Sequence, residues 1–226
     1  MRRTMYDTLL QLPLFQGLSK NDFTEIIGKT KLHFSKYEDN KIIINQGDVC
    51  NKLIFLINGE IESKTIDANE LYTLKEYIKG PYVIEPYSLF GMKPFFQATY
   101  TTSDKAEVVS ISKSAILFEL NNYEIFRINY LNILSNRSQN CFDKIWNTHI
   151  GTTREKIIRF VSIRCNRADG EKLLKIKMED FARLINDTRI NVSRVLNDMQ
   201  NEGLVELSRK EILIPELSKL TIELDD

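Results

Sequence analysis

The run DTRINVSRVLNDMQNEGLVE, Asp187 to Glu206, gathers the side chains with the clearest chemistry in this chain. Arg189, Asn191, Ser193 and Arg194 fall early in an amphipathic pattern that closes on Gly203. Thr188 stands just before them, where it can cap a helix by accepting from backbone N–H groups one turn on. The planar fork of arginine matches the O6 and N7 edge of guanine, and serine or threonine hydroxyls hold phosphate oxygens. That chemistry is recognition of a nucleic acid by a helix entering the major groove, with no bond made or broken. The expected reading helix covers about 188–200, with Thr188, Arg189, Asn191, Ser193 and Arg194 as its contact residues.

Such a helix needs a frame. Phe181, Ala182 and Ile185 mark the inner face of a preceding helix from Glu179, and the small Ala182 lets two helices cross closely. Asn186 occupies the turn, where a left-handed backbone is needed and asparagine tolerates it. Ile190, Val192, Val195 and Leu196 are the apolar members of the second helix. After Gly203, VELSRKEILIP alternates as a hairpin. Upstream, Thr152 and Glu155 in IGTTRE form a capping box for a helix that presents Ile157, Ile158, Val161 and Cys165 on one face, and KLLKIKM reads as a short strand. The C-terminal unit is therefore 151–226.

The first half has another texture. Ser19 and Asp22 resemble a capping box, with Leu18 and Phe23 as a staple, for a short helix closing near Gly28. From Lys31 to about Ser112 come the β-type runs KIIIN, KLIFLI, EIESKTI, ELYTLKEYI and AEVVSIS, separated by the turn signals QGD, NGE, IDANE and KGP. This spacing predicts a small barrel or roll over 1–120, with Gly47 and Gly59 as positive-φ turn residues. The aromatic residues Tyr82, Tyr87, Phe90, Phe95, Phe96 and Tyr100 either line an effector pocket there or pack its core. At Asn121, NNYE opens a helical stretch, 121–150, whose apolar positions Leu131, Leu134, Cys141, Ile145 and Trp146 or His149 recur at three- and four-residue steps. Pairing with a second copy buries such a stripe, as in a two-stranded coiled coil; packing within its own chain is the alternative.

At 226 residues and 42% hydrophobic content, the chain can bury the cores of two domains. Cys50, Cys141 and Cys165 are widely spaced, which argues against a disulfide framework, a zinc site or a four-cysteine cluster and for free thiols. His33 and His149 have no carboxylate at ligand spacing. No apolar run approaches the length that spans a bilayer, and the N-terminus has acids and no small-residue cleavage site, so the expected location is the cytoplasm with no membrane partner. Phosphate-loop, zinc-protease and serine-hydrolase motifs are missing, and no enzymatic activity is expected. Formal net charge is zero, but bases outnumber acids between Gly151 and Arg194, and the balance reverses toward the terminal ELDD.

FARLINDTRINVSRVLNDMQNEGLVEL resembles the winged helix-turn-helix of the Crp/Fnr superfamily of bacterial transcription regulators, whose recognition helix commonly reads T/S-R-E-T-V-S/G-R; Thr188, Arg189, Val192, Ser193 and Arg194 match. LPLFQGLS is similar to the family's opening segment, GDVCNKLIFLINGEIE to its barrel strands, and the helix from Asn121 to its dimerisation helix. The resemblance implies an α+β protein: a cyclic-nucleotide-binding-like roll of double-stranded β-helix type, a dimerisation helix and a DNA-binding domain. It also implies a homodimer reading pseudo-palindromic double-stranded DNA and acting on RNA polymerase. The alternative is a sensor module whose winged helix binds protein. Two departures stand out. Ile190 replaces the usual glutamate, removing an acceptor for cytosine N4. In the roll, Pro86 falls where cyclic-nucleotide-binding members carry a glutamate, and FFQATYTT lacks their phosphate-pairing arginine. No cofactor is expected: cyclic nucleotide, iron–sulfur cluster and heme are all disfavoured, leaving an unidentified effector or none.

Overall fold

The computed structural model describes residues 8–146 and 151–221. Ser19 opens helix α1 (Lys20–Lys29) by the expected reciprocal cap: its hydroxyl accepts from the Asp22 N–H, and the Asp22 carboxylate accepts from the Ser19 N–H. Phe23 and Ile26 are buried. The strands that follow are β1 (His33–Tyr37), β2 (Ile42–Ile44), β3 (Lys52–Asn58), β4 (Glu60–Ile66), β5 (Tyr72–Lys79), β6 (Tyr82–Ile84), β7 (Thr99–Thr102) and β8 (Ala106–Ser112).

One antiparallel sheet runs β1-β8-β3-β6, and β2 pairs with β7. Strand β3 is buried continuously from Leu53 to Ile57 because it lies between two neighbours and is covered on both faces. Gly59, at φ +96°, turns β3 into β4; a Cβ there would meet the Lys105 carbonyl oxygen at 2.3 Å, so only glycine fits. Strands β1, β6 and β7 lie outside the runs singled out in the sequence. They are short or, like HFSKY, largely exposed, so they carry little apolar signal.

The long helix does not open at Asn121. Ser112 caps an additional short helix, α2 (Lys113–Phe118), Leu120–Asn122 form a 3-10 turn, and α3 runs Glu124–Trp146. Phe126 and Tyr130 are buried in the roll core with Phe15 and Leu120, and Ile133 and Leu134 pack against it. Ile125, Ile128, Leu131 and Phe142 are exposed instead. The stripe expected from Leu131 to Cys141 thus divides: Leu134 belongs to the roll-facing side, Leu131 to the open side, and Cys141 is half-buried. Two apolar faces on one helix merge into a single stripe when read by spacing alone. The Ile145 and Trp146 side chains, His149 and the terminal ELDD lie outside the described residues.

The chain separates into two compact units, one of residues 1–62 and 78–137, the other of residues 63–77 and 138–226. The second contains α4 (Thr153–Arg164), β9 (Lys172–Ile176), α5 (Met178–Leu184), α6 (Arg189–Asn201), β10 (Glu206–Ser208), β11 (Glu211–Ile214) and α7 (Leu217–Thr221). The Thr152–Glu155 capping box starts α4 as expected. Strand β9 pairs with β11 on one edge and with β5 on the other, both antiparallel, with Leu74 opposite Leu174. Leu74 is buried in the same core as Phe160, Phe181, Val192 and Leu196. The sequence-based division at 120 and 150 does not foresee the segment 63–77 in this unit. Covering the second edge of β9 leaves no unpaired row of backbone groups there.

Candidate nucleic-acid interface

Helix α5 ends at a turn in which Asn186 adopts φ +52°, and Thr188 then caps α6, its hydroxyl accepting from the Asn191 N–H at 3.2 Å. Both assignments agree with the sequence reading. Val192, Leu196 and Met199 turn into the core, whereas Val195 is only half-buried. Ile190 departs from its grouping with the apolar members: it is 80% exposed, the second residue of α6, and contributes nothing to the core. Thr188, Arg189 and Arg194 are exposed with it, and Asn191 and Ser193 are half-buried.

Asp187, which the sequence reading passed over, organises this end of α6. Its carboxylate accepts from the Thr153 hydroxyl at 2.7 Å, the Asn191 amide at 3.0 Å and the Thr188 N–H at 2.7 Å, with Lys156 Nζ at 3.6 Å. These bonds, Thr153 first and Asn191 next, hold its carboxyl down at about 2. The start of α6 is thereby fastened to α4. The Asn191 amide nitrogen is already engaged, so its amide oxygen is the atom left to accept.

The local excess of bases is largely consumed inside the unit. Arg154 makes a bidentate pair with Glu202, Arg167 pairs with Asp169, Arg183 with Asp180, Lys175 with Glu211 and Lys172 with Glu76. Arg164 lies over the Phe160 ring, 3.7 Å from its centre, and donates to the Tyr72 hydroxyl. Arg189 stands 3.1 Å from Glu179 in a pair about two-thirds exposed on both sides, held weakly enough to exchange partners. At the turn between β10 and β11, Arg209 and Lys210 are exposed, Lys210 at φ +63°. A basic pair between two alternating strand runs was the signal available for them.

In the roll, the six aromatic candidates occupy different surroundings. Phe96 and Tyr100 are buried in the core, and Phe95 is exposed. Tyr87 lies under the Arg137 guanidinium at 3.5 Å; Phe90 packs edge-on against Tyr130 and beneath Lys113 Nζ. The residue that the sequence reading missed is Glu85, immediately before Pro86: it is 1% exposed and has a left-handed backbone, φ +37°. Its carboxylate accepts from the Ser88 and Tyr100 hydroxyls and from the Gln97 and Ala98 N–H groups. Burial, and secondarily the Glu85 charge, pushes the nearby Cys50 thiol up to about 11, which keeps it protonated and unreactive at neutral pH. No helix among the described residues is long and apolar enough to cross a membrane.

The Crp-like helix-turn-helix domain matches residues 155–221. The crystal structure of the Thermus thermophilus catabolite activator protein is similar over 92% of this chain and 96% of its own, at 18% identity and a TM-score of 0.52. The c-di-GMP responsive global regulator CLP of Xanthomonas campestris is similar over 87% and 99%, at 16% identity and a TM-score of 0.51. No curated protein matches the sequence. The α+β architecture, a β-roll followed by a long helix and a Crp-like helix-turn-helix domain, is the fold these two structures share with this chain.

Proposed function

We propose that the protein is a homodimer that reads a pseudo-palindromic duplex through α6, with half-sites about one helical turn apart. The observation that carries this is the division of α6: Val192, Leu196 and Met199 are buried, while Thr188, Arg189, Ile190 and Arg194 stand exposed on its N-terminal half. Arg189 and Arg194 donate to guanine edges or phosphates, Thr188 and Ser193 to phosphates, and the Asn191 oxygen accepts from a base amino group. Arg209 and Lys210 meet the adjoining phosphate backbone from the hairpin tip. Ile190 places an apolar side chain where the family commonly has glutamate, and its partner is a thymine methyl.

The second copy joins along α3. Ile128, Leu131 and Phe142 are exposed and, with the exposed Ser135 and Ser138 between them, recur at alternating three- and four-residue steps. That is the period of a two-stranded seam. The bound dimer recruits or blocks RNA polymerase. The roll takes no cyclic nucleotide, iron–sulfur cluster or heme; the bonding of Glu85 between Ser88 and Tyr100 supports the first of these exclusions.

Selection of bound fragments from a random duplex pool tests the reading. The expected product is a two-fold symmetric consensus, and repeating the selection with Ile190→Glu replaces a T·A pair in each half-site by one presenting cytosine N4. An asymmetric consensus overturns the dimer, an unchanged one the role of Ile190. Failure to enrich any sequence favours a winged helix that binds protein.

A further inference from the structure

The acids around α6 differ in where their partners lie. Asp180 pairs with Arg183 at 2.9 Å, Asp187 is held by Thr153, Asn191 and Lys156, and Glu202 takes two guanidinium nitrogens of Arg154. The cations in these pairs sit on α5 and α4. Glu179, in the first turn of α5, takes its cation from the reading helix instead: its Oε1 lies 3.1 Å from Arg189 Nη1. Arg194, the other exposed arginine early in that helix, has no carboxylate partner among the described residues.

An acid this close to the reading helix faces the phosphate charge of bound DNA, and by itself it weakens binding to every sequence. Its effect on specificity runs through Arg189. With 67% of the Arg189 side chain and 64% of the Glu179 side chain exposed, water screens the pair, which shifts an equilibrium by about fivefold at most. A single phosphate contact is of the same order, so the carboxylate competes with phosphate for the guanidinium. A bidentate contact to guanine discriminates by about fivefold to more than a hundredfold, and it wins. The pair need not break for that contact to form. The carboxylate meets Nη1, and the rest of the guanidinium fork presents the Nη2 and Nε donors to O6 and N7.

We propose that Glu179 is a positioning residue that determines specificity: its carboxylate holds the Arg189 fork for a guanine edge and withholds it from phosphates. Sequences that offer no guanine at that position are thereby released. The inference rests on the reading of α6 as the DNA-reading helix.

Affinities of the full chain for the operator it selects and for a random-sequence duplex of equal length, measured over a salt series, test it. Glu179→Gln keeps the shape and removes the charge. The expected result is a several-fold gain on the random duplex with no gain on the operator, so that the ratio of the two affinities falls about five- to tenfold. The slope of log K against log salt for the random duplex steepens by about one, as Arg189 takes up a phosphate. In an Arg189→Ala background the same substitution leaves the ratio unchanged, whereas in an Arg194→Ala background it still lowers it. Asp180→Asn removes the neighbouring charge, which Arg183 already engages, and leaves the ratio as in wild type. Equal gains on both duplexes with Glu179→Gln, a fall in the ratio that persists without Arg189, or an equal fall with Asp180→Asn overturns the proposal and leaves the DNA-binding reading standing. A wild-type chain that binds neither duplex overturns that reading, and this one with it.

Discussion

Glu76 and Lys172 face each other across β5 and β9, Nζ to Oε1 at 3.2 Å, with 3% and 0% of their side chains exposed. Both groups have further partners. Lys172 also donates to the Asp169 carbonyl, and Glu76 accepts from the Asn166 N–H, the Asn166 amide and the Arg167 N–H. A buried ion pair adds little net stability over an apolar pair of the same shape, but it punishes loss of one member. Through this pair the segment 63–77 is committed to the core that supports α6.

Lys172→Met leaves the Glu76 carboxylate buried without its cation. Stability from denaturant titration is expected to fall by about 3–5 kcal/mol. Glu76→Gln added to Lys172→Met removes the orphaned charge and recovers part of the loss. A single-variant cost below about 1 kcal/mol would show the pair to be open to water.

Asp187 supplies a pH signature. Its carboxyl is held at about 2 against an ordinary 3.8, so the fold favours its ionised form. The stability it contributes is present above pH 4 and is lost as pH falls toward 2, on the order of 1–2 kcal/mol with allowance for its residual exposure. The difference in stability between wild type and Asp187→Asn should therefore be level at neutral pH and shrink between pH 4 and 2. A difference independent of pH would remove the carboxylate from this role.

Arg189→Ala and Arg194→Ala are each expected to weaken binding to a selected operator by about 1–3 kcal/mol. A residue on phosphate also lowers the slope of log K against log salt by about one, whereas a base contact relaxes specificity at one position. Titrations over a salt series separate the two. Unchanged affinity in both variants would take α6 off the DNA.

Leu131→Glu and Phe142→Glu place charges on the open side of α3 and are expected to convert dimer to monomer, read by analytical ultracentrifugation, with operator affinity lost in step. Leu134→Glu, whose side chain packs on the roll, should instead lower the melting midpoint. Dimers that persist in both of the first two variants would place the interface elsewhere.

Much of the architecture was legible before any coordinates. The caps at Ser19, Thr152 and Thr188, the left-handed Asn186 and strands such as EIESKTI and AEVVSIS all appear where their local patterns place them. Of the candidate site, the exposure of Arg194 could be read from helical spacing, and so could that of Ile190, four residues before Arg194 and two from the buried Val192; only its residue type classed Ile190 with the apolar members.

What the sequence determined by itself is local. A cap, a turn residue or an alternating run is specified by groups within about four residues, close enough for spacing to encode the bond. What only the tertiary structure decided depends on partners distant in the chain: Tyr100 and Ala98 closing around Glu85, Lys172 meeting Glu76, Thr153 holding Asp187, and α3 dividing its apolar residues between the roll and an open side. A charged residue reads as surface until the donors that justify its burial are brought to it, and folding alone supplies them.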